Sequence, residues 1–154
     1  MKKIILFIAL LGIGSGAFAQ LENPVTWTYG SKRLSATEAV VFIKATIDEG
    51  WHIYSQKKVV GPNPTTFTFP ASKAYTLVGT TIEPKPITKY EKAFKTNVSY
   101  FENEVVFQQK VKVKAGTAAV VKGSFEYMTC NDTTCLPPDE LNFSIAVPAK
   151  PAAK

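Results

Sequence analysis

Chemistry-bearing side chains are scarce in this chain. It holds two cysteines and one histidine, and of its two methionines one is the initiator. Zinc normally takes four ligands, and Cys130, Cys135 and the distant His52 supply three at best. A single internal thioether, Met128, gives little purchase to a copper ion. No metal or cofactor is therefore expected. After the first few residues no apolar run is long enough for a membrane helix. No segment shows a convincing helical period, and nothing repeats. The lysines are scattered rather than clustered, which argues against a nucleic-acid partner. Charge decides little else.

What is present begins with Lys2-Lys3, an apolar run from Ile4 to Ile13, and Ala17-Phe18-Ala19. These are the charged, hydrophobic and small-x-small parts of a secretory signal peptide, expected over residues 1–19 with cleavage after Ala19. No cysteine follows that site to carry a lipid anchor. Removing 19 of 154 residues leaves 135, enough for one domain with a real core. The same cut takes the formal charge from +6 to +4. Export places the cysteines in an oxidising compartment.

The rest reads as short strands with turns about every ten residues, an all-β sandwich. Val25, Trp27 and Tyr29 mark a first strand ending at Gly30-Ser31. Thr37 to Ile47 is a stronger one, with Ala39, Val41, Ile43 and Ala45 on one face. Asp48-Glu49-Gly50 turns into Trp51 to Tyr54. Past the rigid Gly61-Pro62-Asn63-Pro64 come Thr65 to Phe69 and a short strand near Tyr75 to Val78. Glu83 to Asn97, stiffened by Pro84 and Pro86 and rich in lysine, reads as a long surface loop of the functional or disordered kind. Strands resume at Val98 to Phe101, turn at Glu102-Asn103-Glu104 and return through Val105 to Lys114. There Lys110, Lys112 and Lys114 form a solvated or edge-protecting row. Pro148 to Lys154 reads as a disordered tail, which leaves residues 20–147 as the domain.

Between the strands Ala119 to Tyr127 and Leu141 to Val147 lies Tyr-Met-Thr-Cys-Asn-Asp-Thr-Thr-Cys-Leu-Pro-Pro, a hairpin connection carrying Cys130 and Cys135. Two readings stay open on spacing alone. A structural staple is the common use of cysteine pairs in exported proteins. Yet closing so short a ring contributes only about 2 kcal/mol, and strain can consume it. A short ring at an exposed turn is easy for another thiolate to reach, as a reducible bond requires. Asp132 lies between the cysteines, Glu126, Asp139 and Glu140 flank them, and no Lys or Arg occurs from Gly123 to Ala149. Local charge thus disfavours a free thiolate, and the pair should be sluggish toward small thiols until docked to a partner.

That segment resembles the active-site hairpin of the N-terminal periplasmic domain of the thiol:disulfide interchange protein DsbD, a family also described as a disulfide bond corrector domain. The likeness continues through Gly50-Trp51-His52-Ile53-Tyr54-Ser55-Gln56 and Glu83-Pro84-Lys85-Pro86 to Tyr100-Phe101, nearly the whole exported chain. It implies an immunoglobulin-like sandwich with the cysteines on a hairpin at one end. It also implies that Cys135 bonds the partner's sulfur and Cys130 resolves that bond. An aromatic-tipped loop covers the disulfide in the family. Here Tyr90-Glu91-Lys92-Ala93-Phe94 matches it, with Phe94 as the shield. Lys92 and Ala93 replace the acidic residues usual before the aromatic and leave Glu91 nearest, so a steric role survives better than a proton role. Tyr54 and Tyr127 match aromatics lining the cysteine end, though either suits the core, and Asp132 suits turn chemistry. His52, alone on its strand, reads as structural.

The implied activity is a periplasmic electron relay. A thioredoxin-like periplasmic domain would load the pair, fed by a separate membrane electron-transfer protein. An oxidised disulfide isomerase or a cytochrome c maturation thioredoxin would accept the electrons. The rivals are an exported binding module with a structural disulfide, and a metal-delivery domain using Cys130, Cys135 and Met128.

Overall fold

The structure, a computed structural model, describes residues 23–149. The expected signal peptide and residues 150–154 of the expected tail lie outside them. Eleven strands carry the described chain: β1 (Val25–Arg33), β2 (Glu38–Ile47), β3 (His52–Tyr54), β4 (Thr66–Thr68), β5 (Tyr75–Ile82), β6 (Ile87–Glu91), β7 (Thr96–Phe101), β8 (Glu104–Val113), β9 (Ala119–Tyr127), β10 (Thr129–Cys130) and β11 (Asp139–Val147). They form three antiparallel sheets ordered β1-β2-β8-β5, β10-β3-β7-β6 and β11-β9-β4. The architecture is all-β, as the strand pattern leads one to expect, and immunoglobulin-like, as the family resemblance implies.

Alternation builds the core. Ala39, Val41, Ile43 and Ala45 of β2 are buried, as are Val111 and Val113 of β8 and Phe143, Ile145 and Val147 of β11. The outward residues Lys110 and Lys112 are exposed. β8 sits between β2 and β5, so that lysine row is a solvated sheet face and not an edge. The first and third sheets meet over this core, where Trp27 packs on Phe125 at 4.3 Å and Phe67 on Phe107 at 5.0 Å between ring centroids. The second sheet adds Ile53 and Phe101 to the same core from one face. Its other face carries a separate, smaller cluster of Tyr54, Val98, Tyr100 and Cys130.

Four features depart from the sequence reading. β1 continues past Gly30 to Arg33 because its whole length pairs with β2, Gly30 lying opposite Phe42. β5 runs on to Ile82 through an irregularity after Val78, where Gly79 takes φ +67°. Gln109, buried beside it, donates to the Val78 and Lys110 carbonyls and accepts from Thr81, so its own side-chain amide is paired at the break. The expected loop from Glu83 to Asn97 is instead largely a hairpin, β6 pairing with β7 from Ile87↔Tyr100 to Glu91↔Thr96. Four of the five β6 residues are exposed, so no inside–outside alternation betrays it. Its backbone bonds come from pairing at a sheet edge. Finally, Glu102-Asn103-Glu104 does not close a hairpin. β7 and β8 belong to different sheets, and the corner is held by Asn103 in the left-handed region at φ +61° and by its carbonyl, which accepts from the Ile47 amide at 2.7 Å.

Candidate functional site

The β9–β11 hairpin pairs along its full length, from Ala119↔Val147 to Tyr127↔Asp139. Its connection turns aside as β10, which pairs with β3 through Thr129↔Ile53 and Cys130↔His52. The sequence reading of a hairpin whose connection carries the cysteines describes this arrangement. Cys130 and Cys135 form a disulfide and face each other as an isolated antiparallel bridge. The tip between them is an Asx turn. Asn131 Oδ1 accepts from the Thr133 and Thr134 amides at 2.9 and 2.7 Å, and Asn131 donates its own amide to the Thr134 carbonyl at 2.9 Å. The turn chemistry therefore belongs to Asn131, and Asp132 is left exposed.

Period two then assembles the site. Cys130 is opposite His52, and Tyr54 follows His52 on the same face, opposite Tyr100. Val98 shares that face of β7, and its partner on β6 is Lys89, with Glu91 two residues on. These residues line a pocket of about 250 Å³ with both cysteines at its wall, together with Glu102, Asp132 and Phe94. Cys130 is 1% exposed, whereas Cys135 is exposed. The two halves of one bond thus meet very different surroundings.

Within the pocket the Tyr54 hydroxyl donates to Cys130 Sγ at 3.3 Å and lies 3.3 Å from His52 Nε2. Burial, with Glu91 and Tyr100 adding to it, pushes the Tyr54 phenol up to about 12, so it stays a donor at neutral pH. Burial likewise lowers His52 below its ordinary 6.5, opposed by Glu102, Glu91 and Asp132, while Lys89 works with burial. Tyr100 is raised, again mainly by burial. The acidic surroundings read from the hairpin alone gain one cation, Lys89, from a strand far away in sequence.

Phe94 sits in the β6–β7 turn and packs on the Tyr54–Cys130 cluster, its ring edge-on to Tyr54 at 6.4 Å. The ring rests on Gly61, where a Cβ would approach it to 2.7 Å and where φ is +135°. Glu91 is half-buried at the pocket wall, and Lys92 points to solvent. Tyr127 is not in this pocket. It is buried in the main core, 5.0 Å from Trp27, with its hydroxyl 3.5 Å from Asp139. Sequence reasoning treated His52 as structural and gave no role to Tyr100, Lys89 or Glu102. Only the strand register brings them to the cysteines, and the one hint was the alternation His52–Tyr54. The segments around Gln56 and Glu83, far apart in sequence, also touch: the Gln56 amide donates to Glu83 Oε2 at 2.8 Å.

Comparison with known proteins agrees with this fold. No curated protein sequence matches the chain. Among solved structures, it is similar to the DsbD N-terminal domain of Neisseria meningitidis in the reduced form. Identity is 16%, coverage 79% of this chain and 86% of that one, and TM-score 0.52. It is also similar to the N-terminal periplasmic domain of ScsB from Proteus mirabilis, at 18% identity and TM-score 0.55, over 85% of this chain and 54% of that one. Residues 25–146 match the family described as thiol:disulfide interchange protein DsbD, N-terminal, and the chain belongs to that family.

Proposed function

We propose that the domain relays electron pairs between exported proteins by opening and closing the Cys130–Cys135 disulfide. The observation that carries this reading is the asymmetry of the bond, with Cys135 exposed and Cys130 buried against a hydrogen-bond donor. Disulfides exchange by in-line attack of a thiolate on one sulfur while the other leaves. A thioredoxin-like donor thiolate reaches Cys135 Sγ. The electrons of the broken bond move to Cys130 Sγ, which leaves toward the Tyr54 hydroxyl. The donor's second thiolate then releases Cys135, so the domain gains two electrons and two protons and the donor becomes a disulfide. Delivery runs the same steps backwards. Cys135 attacks the acceptor's disulfide, and Cys130 displaces the acceptor from Cys135 and restores the ring.

In this reading Phe94 shields the buried half of the bond, and Glu91 contributes charge rather than a contact. Residues 1–19 direct export to the periplasm and 20–147 form the working domain. The donor is a thioredoxin-like domain supplied by a membrane electron-transfer protein. Acceptors are thioredoxin-fold proteins such as a disulfide isomerase or a cytochrome c maturation oxidoreductase. Cys130→Ser tests the order of the sulfurs. Cells exporting this variant should accumulate a mixed disulfide through Cys135, identifiable by mass spectrometry and cleaved by reductant. Trapping through Cys130 in the Cys135→Ser variant instead would reverse the assignment.

A further inference from the structure

His52 is the chain's only histidine, and nothing in the exchange just described uses it. Resolution needs a base: before Cys130 can attack Cys135, its thiol must lose a proton, and the sulfur is buried away from water. We propose that His52 accepts this proton through the Tyr54 hydroxyl, making it a positioning and proton-accepting residue for the closing step. The inference rests on the exchange reading above. It adds a residue and a direction of proton flow.

The geometry is a three-member line. Cys130 Sγ, Tyr54 Oη and His52 Nε2 follow one another at 3.3 Å and 3.3 Å, and Cys130 and His52 are paired across adjacent strands. In the reduced pair the Cys130 thiol donates to Tyr54 Oη, and the Tyr54 hydrogen turns to Nε2, the ring's own proton residing on Nδ1. In the closing step Cys130 passes its proton to Tyr54 while Tyr54 passes one to Nε2. The sulfur electron pair forms the Cys130–Cys135 bond, and the partner leaves Cys135 as a thiolate. Tyr54 ends unchanged, and His52 ends as an imidazolium that releases its proton to solvent.

The surroundings suit both states of the ring. Tyr54 stands edge-on to it at 5.2 Å and Tyr100 lies 4.9 Å away, which keeps the resting imidazole partly dry and neutral. The charged groups facing it are Glu102, Glu91 and Asp132 against Lys89 alone. Three carboxylates and one ammonium favour the cation once it forms. Burial wins at rest, and the carboxylates limit how far it wins.

The test uses the reduced exported domain and a chromogenic aromatic disulfide, dithiobis-nitrobenzoate. Attack by Cys135 releases one coloured thiolate, and closure by Cys130 releases the second in a concentration-independent phase. In the wild type the second phase should slow as pH falls below the histidine pKa. In His52→Gln that limb should vanish and the second phase should be about a hundredfold slower at pH 7, the lower end for general base catalysis. The first phase should be unchanged, which also reports that the variant is folded around Cys135. Tyr54→Phe should show the same slowing, and the double variant should be no slower than either single one. A wild-type second phase and pH profile in His52→Gln would overturn the proposal, as would equal slowing of both phases. The relay reading fails separately, if the wild-type domain takes no electrons from a thioredoxin-fold donor while both coloured phases persist.

Discussion

Two clusters share this small fold, and they are built to opposite rules. The main core between the sheets is dry, made of alternating aliphatic and aromatic residues such as Val41, Phe107, Val121 and Phe125, each at most 1% exposed. The cluster on the outer face of β3 and β7 is small, lies under a hairpin tip, and surrounds Cys130 with hydroxyls, an imidazole and carboxylates. The first holds the molecule together. The second buries far fewer residues, and its polar groups are the kind that alter thiol chemistry. β3 shows the division within three residues: Ile53 enters the core, while His52 and Tyr54 turn to the cysteine.

The sharpest way to break the comparison is to damage each cluster and read both stability and reactivity. Phe107→Ala removes a fully buried ring from the core and should cost about 3–5 kcal/mol in denaturant unfolding. Under native conditions the disulfide's reduction rate should stay near the wild-type value. A changed reduction rate in a folded Phe107→Ala protein would mean that the clusters are not separable.

Gly61→Ala strikes the other region from outside. The new Cβ meets the Phe94 ring at 2.7 Å in a left-handed backbone, so the ring must move or the loop must give, at about 1–3 kcal/mol. Reduction by a small thiol should quicken several-fold. Phe94→Ala should quicken it likewise, at lower cost to stability because the ring is only half-buried. Since both act through one contact, the double variant should match Phe94→Ala rather than multiply the effects. Unchanged rates in both variants would remove the shielding role of Phe94.

A smaller effect separates the clusters by pH. Tyr54 holds its proton to about 12 when folded but ionises near 10 when unfolded. The stability this represents is complete below pH 10 and is lost as pH rises toward 12. Tyr54→Phe should flatten part of that alkaline decline, while Tyr29, Tyr100 and Tyr127, also raised, retain the rest. Equilibrium unfolding at pH 9 and pH 11 checks this. An undiminished decline in the variant would contradict it.

The two regions also differed in how far they could be read from sequence. Core strands announce themselves, because Ala39 to Ala45 and Phe143 to Val147 obey period two against a buried face. The cysteine hairpin was visible from its flanking strands and from a family resemblance carried by its own residues. What failed to show lay at edges and corners. β6 is exposed on both faces and the lysines in and around it imitate a loop, so Lys89 could not be placed beside the disulfide, and Glu91 came there only through the family resemblance. The corner at Asn103 looks locally like a hairpin turn, and only pairing with the distant β2 and β5 places β8 in another sheet. The neighbourhood of His52 stayed hidden for the same reason. It is set by the pairing with Cys130, 78 positions along the chain, which no local pattern encodes. Tyr127, near the cysteines in sequence, is turned into the core, the other position it suited.

The central claim is that the Cys130–Cys135 bond opens in service, and its equilibrium reduction potential tests this most directly. Titration of the domain against a thioredoxin-fold couple, with both thiols counted by alkylation, should give a value between about −270 and −180 mV, the span from thioredoxin to protein disulfide isomerase. A potential below about −300 mV, as for structural disulfides of secreted proteins, would make the pair a staple and the domain something other than an electron carrier.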